Sequence, residues 1–179
     1  MKQGVNGTPR NMLFYSAKPM VMNNNTVCTK THNRGNSTTA KFTLETPADT
    51  RHLQQIADFV ESALNALGIR GKYRGHICVA VDEAVTNVIL YAYPNAKGKL
   101  GLTIERRDDR ILVEITDAGL AFNPLLIPAP DITAGIDERP IGGLGVHLVR
   151  KMMDETHYRR IGNHNHLVLV KHIGDKKNE

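Results

Sequence analysis

The pattern of apolar and polar positions divides the chain into three parts. Residues 1–40 are rich in Asn, Thr, Ser and Lys and show no sustained periodicity, which is typical of a disordered or loosely attached segment. From Lys41 the chain alternates between apolar and polar residues, as a half-buried strand does. We therefore expect an N-terminal arm over residues 1–40, one domain over residues 41–174 and a polar tail over residues 175–179.

Two stretches with helical spacing follow this strand. The first covers residues 47–67, with Thr46 as its expected N-cap and Gly68 as its stop. The second covers residues 72–93 and is ended by Pro94. In both stretches apolar residues recur every three or four positions, which predicts two consecutive amphipathic helices.

Further strand patterns lie in the second half of the chain, on both sides of a long irregular segment. Period-two alternation predicts four more strands, at about residues 100–104, 111–115, 157–161 and 167–173. Residues 120–141 contain four prolines and are too long for an ordinary loop, and a short helix is expected at residues 144–153. This order of elements predicts an α+β fold, a two-layer sandwich with one sheet and helices on one face.

The charge of the chain suggests one class of function that its composition argues against. The formal net charge is +5, but Lys and Arg are scattered, and the aromatic residues that stack on single-stranded nucleic acid make up only 5%. A nucleic-acid-binding protein, which would show strong and salt-dependent DNA affinity, therefore ranks last among the alternatives. We expect no direct nucleic-acid partner.

Membrane, secretory and metal-binding signals are weak throughout the sequence. No window approaches the roughly 18 consecutive apolar residues of a membrane span, and the N-terminus lacks the apolar core of a secretory signal. We therefore expect a cytoplasmic protein without a membrane partner.

Cys28 and Cys78 lack CxxC spacing and are interpreted as reduced bystanders. His164 and His166 could share one side of a strand and bind metal, but ordinary surface histidines are the favoured interpretation.

Two pairs of residues carry candidate chemistry. Glu83 and Asn87 lie four residues apart in the second predicted helix, so they share a face. An amide oxygen there can ligate a hard cation and a carboxylate can take a proton from a hydroxyl, although a solvated helix face has the same spacing. Asp117 and Gly119 follow a predicted strand, where an Asp can accept a hydrogen bond from adenine and a Gly allows close approach to the base. A simple turn fits that second pair equally well.

A glycine-rich loop precedes the short predicted helix. It consists of Gly142, Gly143, Leu144 and Gly145. Free N–H groups at a helix start suit phosphates, and a flexible hinge is the alternative interpretation. The spacing fits neither a Walker loop nor the dinucleotide-binding glycine motif.

In this fixed order, the three motifs resemble the boxes of the GHKL (histidine kinase-like) ATPase superfamily. Residues 81–87, 117–124, 142–145 and 153–155 are similar to one branch in particular, the anti-sigma regulatory factors that act as serine-protein kinases in bacterial partner-switching systems. The resemblance covers about residues 42–171. It implies a Bergerat-type ATP-binding fold with a mixed, mostly antiparallel sheet.

The resemblance also implies roles for these residues. Asn87 would hold Mg2+ between the phosphates of ATP, and Glu83 would activate a serine hydroxyl. Asp117 would bind the adenine amine with support from Gly119, and the Gly142–Gly145 loop would form a lid over the phosphates.

The partners implied by the resemblance are proteins. They are a STAS-domain anti-anti-sigma protein as phosphorylation substrate, a sigma factor or other regulatory target to be sequestered, and a second copy in a homodimer. Two positions depart from the family pattern: Ala121 stands where the superfamily often has Gly, and Asn123 where the branch commonly has Asp. The main alternative is an ATP-gated partner-binding module without significant kinase activity.

Overall fold

The computed structural model describes most of the predicted domain. The described residues are 20–21, 26–32, 38–94, 96–128 and 144–174. The predicted tail lies outside them, as do parts of the predicted arm and the first two glycines of the glycine-rich loop.

Seven strands of the described residues form one sheet in the order β1-β2-β3-β4-β5-β7-β6. Their bounds are β1 Met20–Val21, β2 Thr26–His32, β3 Thr38–Pro47, β4 Lys99–Arg107, β5 Arg110–Asp117, β6 Glu155–Ile161 and β7 His164–His172. Every pairing between these strands is antiparallel, so the expected parallel component is not found among them. The α+β fold class is confirmed.

Strand β2 lies within the stretch predicted to be a loosely attached arm. It pairs with β3 from Thr26 opposite Leu44 to His32 opposite Thr38. Its sequence is rich in β-branched residues, which favour strands. An unpaired β3 would also leave a row of backbone N–H and C=O groups without strand partners. The structure therefore differs from the prediction over β1, β2 and residues 38–40 of β3, which lie in the sheet, and the arm stays a prediction for the rest of residues 1–40.

Among the described residues, three helices pack on the face of the sheet that carries its buried side chains. They are α1 Leu53–Ala66, α2 Gly71–Asn87 and α3 Leu144–Met152. Alternate residues of β4 and β5 are buried beneath them, and the largest fully buried side chains there are Leu100, Leu102, Ile104, Ile111, Val113 and Ile115. This is the two-layer arrangement that the order of elements predicts. No helix within the described ranges is both long and apolar enough to span a bilayer.

The start of the first helix differs from the prediction. Thr46 belongs to β3, where it pairs with Leu100, so it is not the N-cap. Asp49 takes that role for a short 3-10 turn before α1, and its side chain accepts a hydrogen bond from Arg51 N at 2.9 Å. The other end is as predicted, because Gly68 adopts the left-handed conformation (φ 75°) that ends helices.

The C-terminal end of α2 is tied to the sheet. The helix continues into a π-helical turn over Val88–Ala92, a local widening that is frequent at functional sites. Just beyond it, Tyr93 donates a hydrogen bond to Lys99 O at 2.7 Å and accepts one from Ala118 N at 2.8 Å. Burial raises the pKa of the Tyr93 phenol. These bonds fix the helix end against β4 and the end of β5.

Candidate functional site

A pocket lies where the second half of α2, the ends of β5 and β7, and the start of α3 meet. Asp117 and Asn165 are its buried polar residues, and most of the other lining side chains are apolar. Tyr91 and Phe122 line its exposed part. The enclosed cavity is about 50 Å³, and the space reaches about 650 Å³ only when its open mouth is counted.

Asp117 is the last residue of β5 and is only 5% exposed. Its Oδ1 accepts hydrogen bonds from Gly119 N at 2.9 Å and from Asn165 Nδ2 at 2.8 Å. The predicted base-binding carboxylate therefore lies within the pocket, held by two donors. A carboxylate in such a place can accept a hydrogen bond from a ligand amine.

Gly119 is required by a close contact with the helix end. A Cβ built on Gly119 would lie 2.6 Å from Ala92 Cβ and 2.8 Å from Ala92 C. The next residue confirms the proximity, since Leu120 N donates to Ala92 O at 2.9 Å. The glycine thus brings the strand end against the π-helical turn, a role the sequence did not reveal. Its predicted support of a base stays a prediction.

Glu83 and Asn87 lie on α2 against the first turn of α3. A Cβ built on Gly145 would overlap Glu83 Oε2 and would lie 3.3 Å from Glu83 Cδ and 3.8 Å from Asn87 Nδ2. Both α2 side chains are partly exposed, and Asn87 also lines the pocket beside Asp117. Three motifs that are well separated in sequence therefore meet at one place.

The glycine-rich loop is described only at its end. Leu144 is exposed and begins α3, and Gly145 is the residue that contacts the α2 side chains. Gly142 and Gly143 lie outside the described residues, so their predicted phosphate contacts stay predictions.

The donor set at this place fits a hard cation. Asn87 and Glu83 offer an amide oxygen and a carboxylate, which are oxygen ligands of the kind that Mg2+ prefers. Nowhere in the described ranges do three or more His, Cys, Asp or Glu side chains form a group that could hold a metal ion. An ion at Asn87 would therefore depend on ligand oxygens such as phosphates, which is usual for Mg2+.

The histidine pair has an ordinary environment. His164 is exposed, and His166 lies 2.9 Å from Glu114 Oε1 through Nδ1. The interpretation of the pair as ordinary surface histidines stays a prediction, since His164 is exposed but His166 is partly buried.

Two functional candidates lay outside the sequence prediction. Asn165, between the two histidines, is buried and bonded to Asp117. A polar residue at an inward position of a strand was the only sequence signal for it. Arg150 of α3 donates to Ile127 O at 3.0 Å and to Leu125 O, so it fixes the segment after β5 to the helix. A basic residue in the last turn of a helix gives no such signal.

Comparison with known proteins agrees with this arrangement. A family model described as a histidine kinase-like ATPase domain matches residues 46–171. The serine/threonine-protein kinase BtrW of Bordetella bronchiseptica is 28% identical over 102 residues, which cover 56% of this chain and 72% of that kinase. The serine-protein kinase RsbW of Bacillus mycoides is 24% identical over 119 residues, covering 64% of this chain and 74% of that kinase.

A solved structure shows the same fold. It contains the RsbU and RsbW domains of a Mycobacterium tuberculosis protein and matches with a TM-score of 0.50 and 13% sequence identity. The match covers 73% of this chain and 32% of that chain, so the present chain spans about a third of the solved chain. At this identity the likeness concerns the fold alone.

Proposed function

This chain belongs to the histidine kinase-like ATPase domain family, and on that premise we propose that it is an anti-sigma factor serine-protein kinase that uses Mg-ATP. It phosphorylates a serine of a STAS-domain anti-anti-sigma partner and sequesters a sigma factor or similar regulator. Support comes from its similarity to the named serine-protein kinases RsbW and BtrW, at 24% and 28% identity. A homodimer completes the proposal and rests on the resemblance to partner-switching kinases.

The observation that carries the proposal is the contact of Gly145 with Glu83 and Asn87 beside the pocket that contains Asp117. A base-binding carboxylate, a cation-binding amide and a proton acceptor would thus serve one bound nucleotide. Phosphoryl transfer depends mainly on positioning and charge neutralisation, so this inventory is sufficient in kind.

Each residue has a distinct task in the proposed reaction. Asp117 accepts a hydrogen bond from the adenine amine, and the apolar pocket walls exclude water from the base. The amide oxygen of Asn87 would hold magnesium, which would supply neutralisation of the phosphate charge. Glu83 accepts the proton of the serine hydroxyl. The serine oxygen bonds to the γ-phosphorus as the bond between that phosphorus and ADP breaks.

The surface around the pocket suits a protein substrate. Six of the exposed large apolar residues lie on the segments that border it: Leu90, Tyr91, Leu120, Phe122, Leu126 and Leu144. Clusters of exposed apolar side chains commonly mark sites of protein interaction. A docked partner would bring its serine to the side of the site where Glu83 lies.

The test is transfer of label from γ-labelled ATP, with magnesium, to a STAS-domain protein of the same genome. We expect label on a serine of that protein, and a loss of about 10²-fold or more in Glu83→Gln, because the amide cannot take the proton. Asp82→Asn is the matched control, since Asp82 is the neighbouring exposed carboxylate of α2. An equal rate in Glu83→Gln and wild type would show that the assigned base is wrong.

The same assay separates the main alternative. An ATP-gated binding module would bind ATP and change its affinity for partners without labelling any of them. Failure to bind ATP at all would refute both functions.

A further inference from the structure

We propose that Asn165 is a positioning residue: by fixing the carboxylate of Asp117, it sets the preference of the site for adenine. This inference rests on the proposed ATP site. The two residues face each other in the register of β7 and β5. Asn165 Nδ2 donates to Asp117 Oδ1 at 2.8 Å, and both residues are 5% exposed. Water therefore competes little for this bond, which is stronger for being buried.

The contacts of Asn165 allow only one orientation of its amide. Nδ2 also donates to Leu120 O at 2.8 Å, while Oδ1 accepts from Tyr158 OH at 2.8 Å and Arg160 Nη1 at 2.7 Å. A flipped amide would turn its oxygen toward two acceptors and an N–H group toward the Arg160 guanidinium, so three of the four bonds would be lost; only the Tyr158 hydroxyl can also accept. Both N–H groups are in use, so Asn165 acts on a base only through Asp117.

Two donors then hold one oxygen of the Asp117 carboxylate. Gly119 N donates to Oδ1 at 2.9 Å, in addition to Asn165 Nδ2. With Oδ1 engaged from two directions, the carboxylate cannot rotate freely and its second oxygen keeps a fixed direction. Because Asp117 lines the pocket, that second oxygen would be the acceptor for the ligand.

A fixed acceptor discriminates between bases. It favours a purine with an exocyclic amine at that place, such as adenine. It disfavours a carbonyl oxygen there, as in guanine, because two acceptors would face each other with no proton between them. If Asn165 did not hold the carboxylate, Asp117 could turn and the discrimination would weaken.

The experiment compares two nucleotides on the purified full chain. ATP and purine riboside triphosphate, which lacks the exocyclic amine, displace a fluorescent ATP analogue at equilibrium. We expect wild type to prefer ATP by on the order of tenfold, the usual size for a charge-assisted hydrogen bond. In Asn165→Ala this preference should fall by about threefold or more, because ATP and its analogue bind more weakly while the affinity for purine riboside triphosphate changes less than about twofold.

Two further variants keep the test decisive. Tyr158→Phe keeps the ring and removes one donor to Asn165 Oδ1, so the preference for ATP should fall in the same direction by a smaller factor. It gives the answer if Asn165→Ala does not fold. Asn163→Ala, at an exposed position in the β6–β7 turn, should leave the preference unchanged.

The outcomes separate this inference from the proposed function. Equal losses of affinity for both nucleotides, or an unchanged preference, would show that Asn165 only holds the strands together and would overturn the inference alone. A wild-type chain that binds neither nucleotide would refute the ATP site, and the inference with it.

Discussion

An alanine at Gly145 would test whether phosphoryl transfer needs the close approach of α3 to α2. The added Cβ overlaps Glu83 Oε2 and lies 3.3 Å from Glu83 Cδ. Because this is the end of a flexible side chain, Glu83 can move aside by roughly 1 Å, and a misplacement of that size costs on the order of 10²-fold in rate. The barrier would rise by about 2.7 kcal/mol, at about 1.36 kcal/mol for each factor of ten. Only the end of one side chain has to move, and Gly145 is the second residue of α3, so the fold should hold.

The assay is the rate of label transfer to the STAS-domain substrate, with thermal unfolding measured beside it. Gly75→Ala is the matched control, because Gly75 is also helical and no heavy atom lies within 4 Å of a Cβ added there. It should transfer at the wild-type rate. A wild-type rate in Gly145→Ala would refute the reasoning, since α3 would then not constrain Glu83. The reasoning would also be refuted if the melting temperature of Gly145→Ala fell by several degrees, because loss of folded protein would then explain the lower rate.

Two further predictions concern stability. Gly119→Ala must push backbone apart, because the Cβ would lie 2.8 Å from Ala92 C, so we expect a loss of about 1–3 kcal/mol and a melting temperature several degrees lower; an unchanged melting temperature would contradict this. Burial alone would raise the pKa of Asp154, but it is lowered because the backbone N of His172 and the ammonium of Lys171 donate to its carboxylate. The ionised Asp154 carboxylate thus stabilises the fold fully above its ordinary pKa of 3.8, and this stabilisation is lost as the pH falls through the lowered pKa. In urea unfolding, Asp154→Asn should lower the free energy of unfolding by about 1–2 kcal/mol at neutral pH and by less in acid. An equal loss at neutral and acid pH would refute this role of the Asp154 carboxylate.

Local pattern was enough to predict the elements from residue 41 onward, because most of them have one face in the core. It failed where a residue's element is decided by pairing with residues that are distant in sequence. Thr46 is a good N-cap by local chemistry, but its pairing with Leu100 keeps it in β3. Strand β2 is polar in composition, and its pairing with β3 is not visible in its own sequence.

The candidate site divides in the same way. Motif order implied that Asp117, Asn87 and the glycine-rich loop serve one nucleotide. The structure brings Asp117 and Asn87 to one pocket, and it adds the contact of Gly145 with Glu83. Asn165 could not be predicted, since its role depends on Asp117, which is 48 positions away in sequence and lies on the neighbouring strand.

The position of β7 in the sheet has a consequence for the order of folding. It is the last strand in chain order among the described residues, yet it lies between β5 and β6 rather than at an edge. Loop-closure entropy delays such distant pairings, so the β5–β7 ladder should form late. On the ribosome, Asp117 would be synthesised well before the strand that pairs with it. A nascent chain that stops before β7 should therefore contain its helices and early strands but be unable to retain nucleotide.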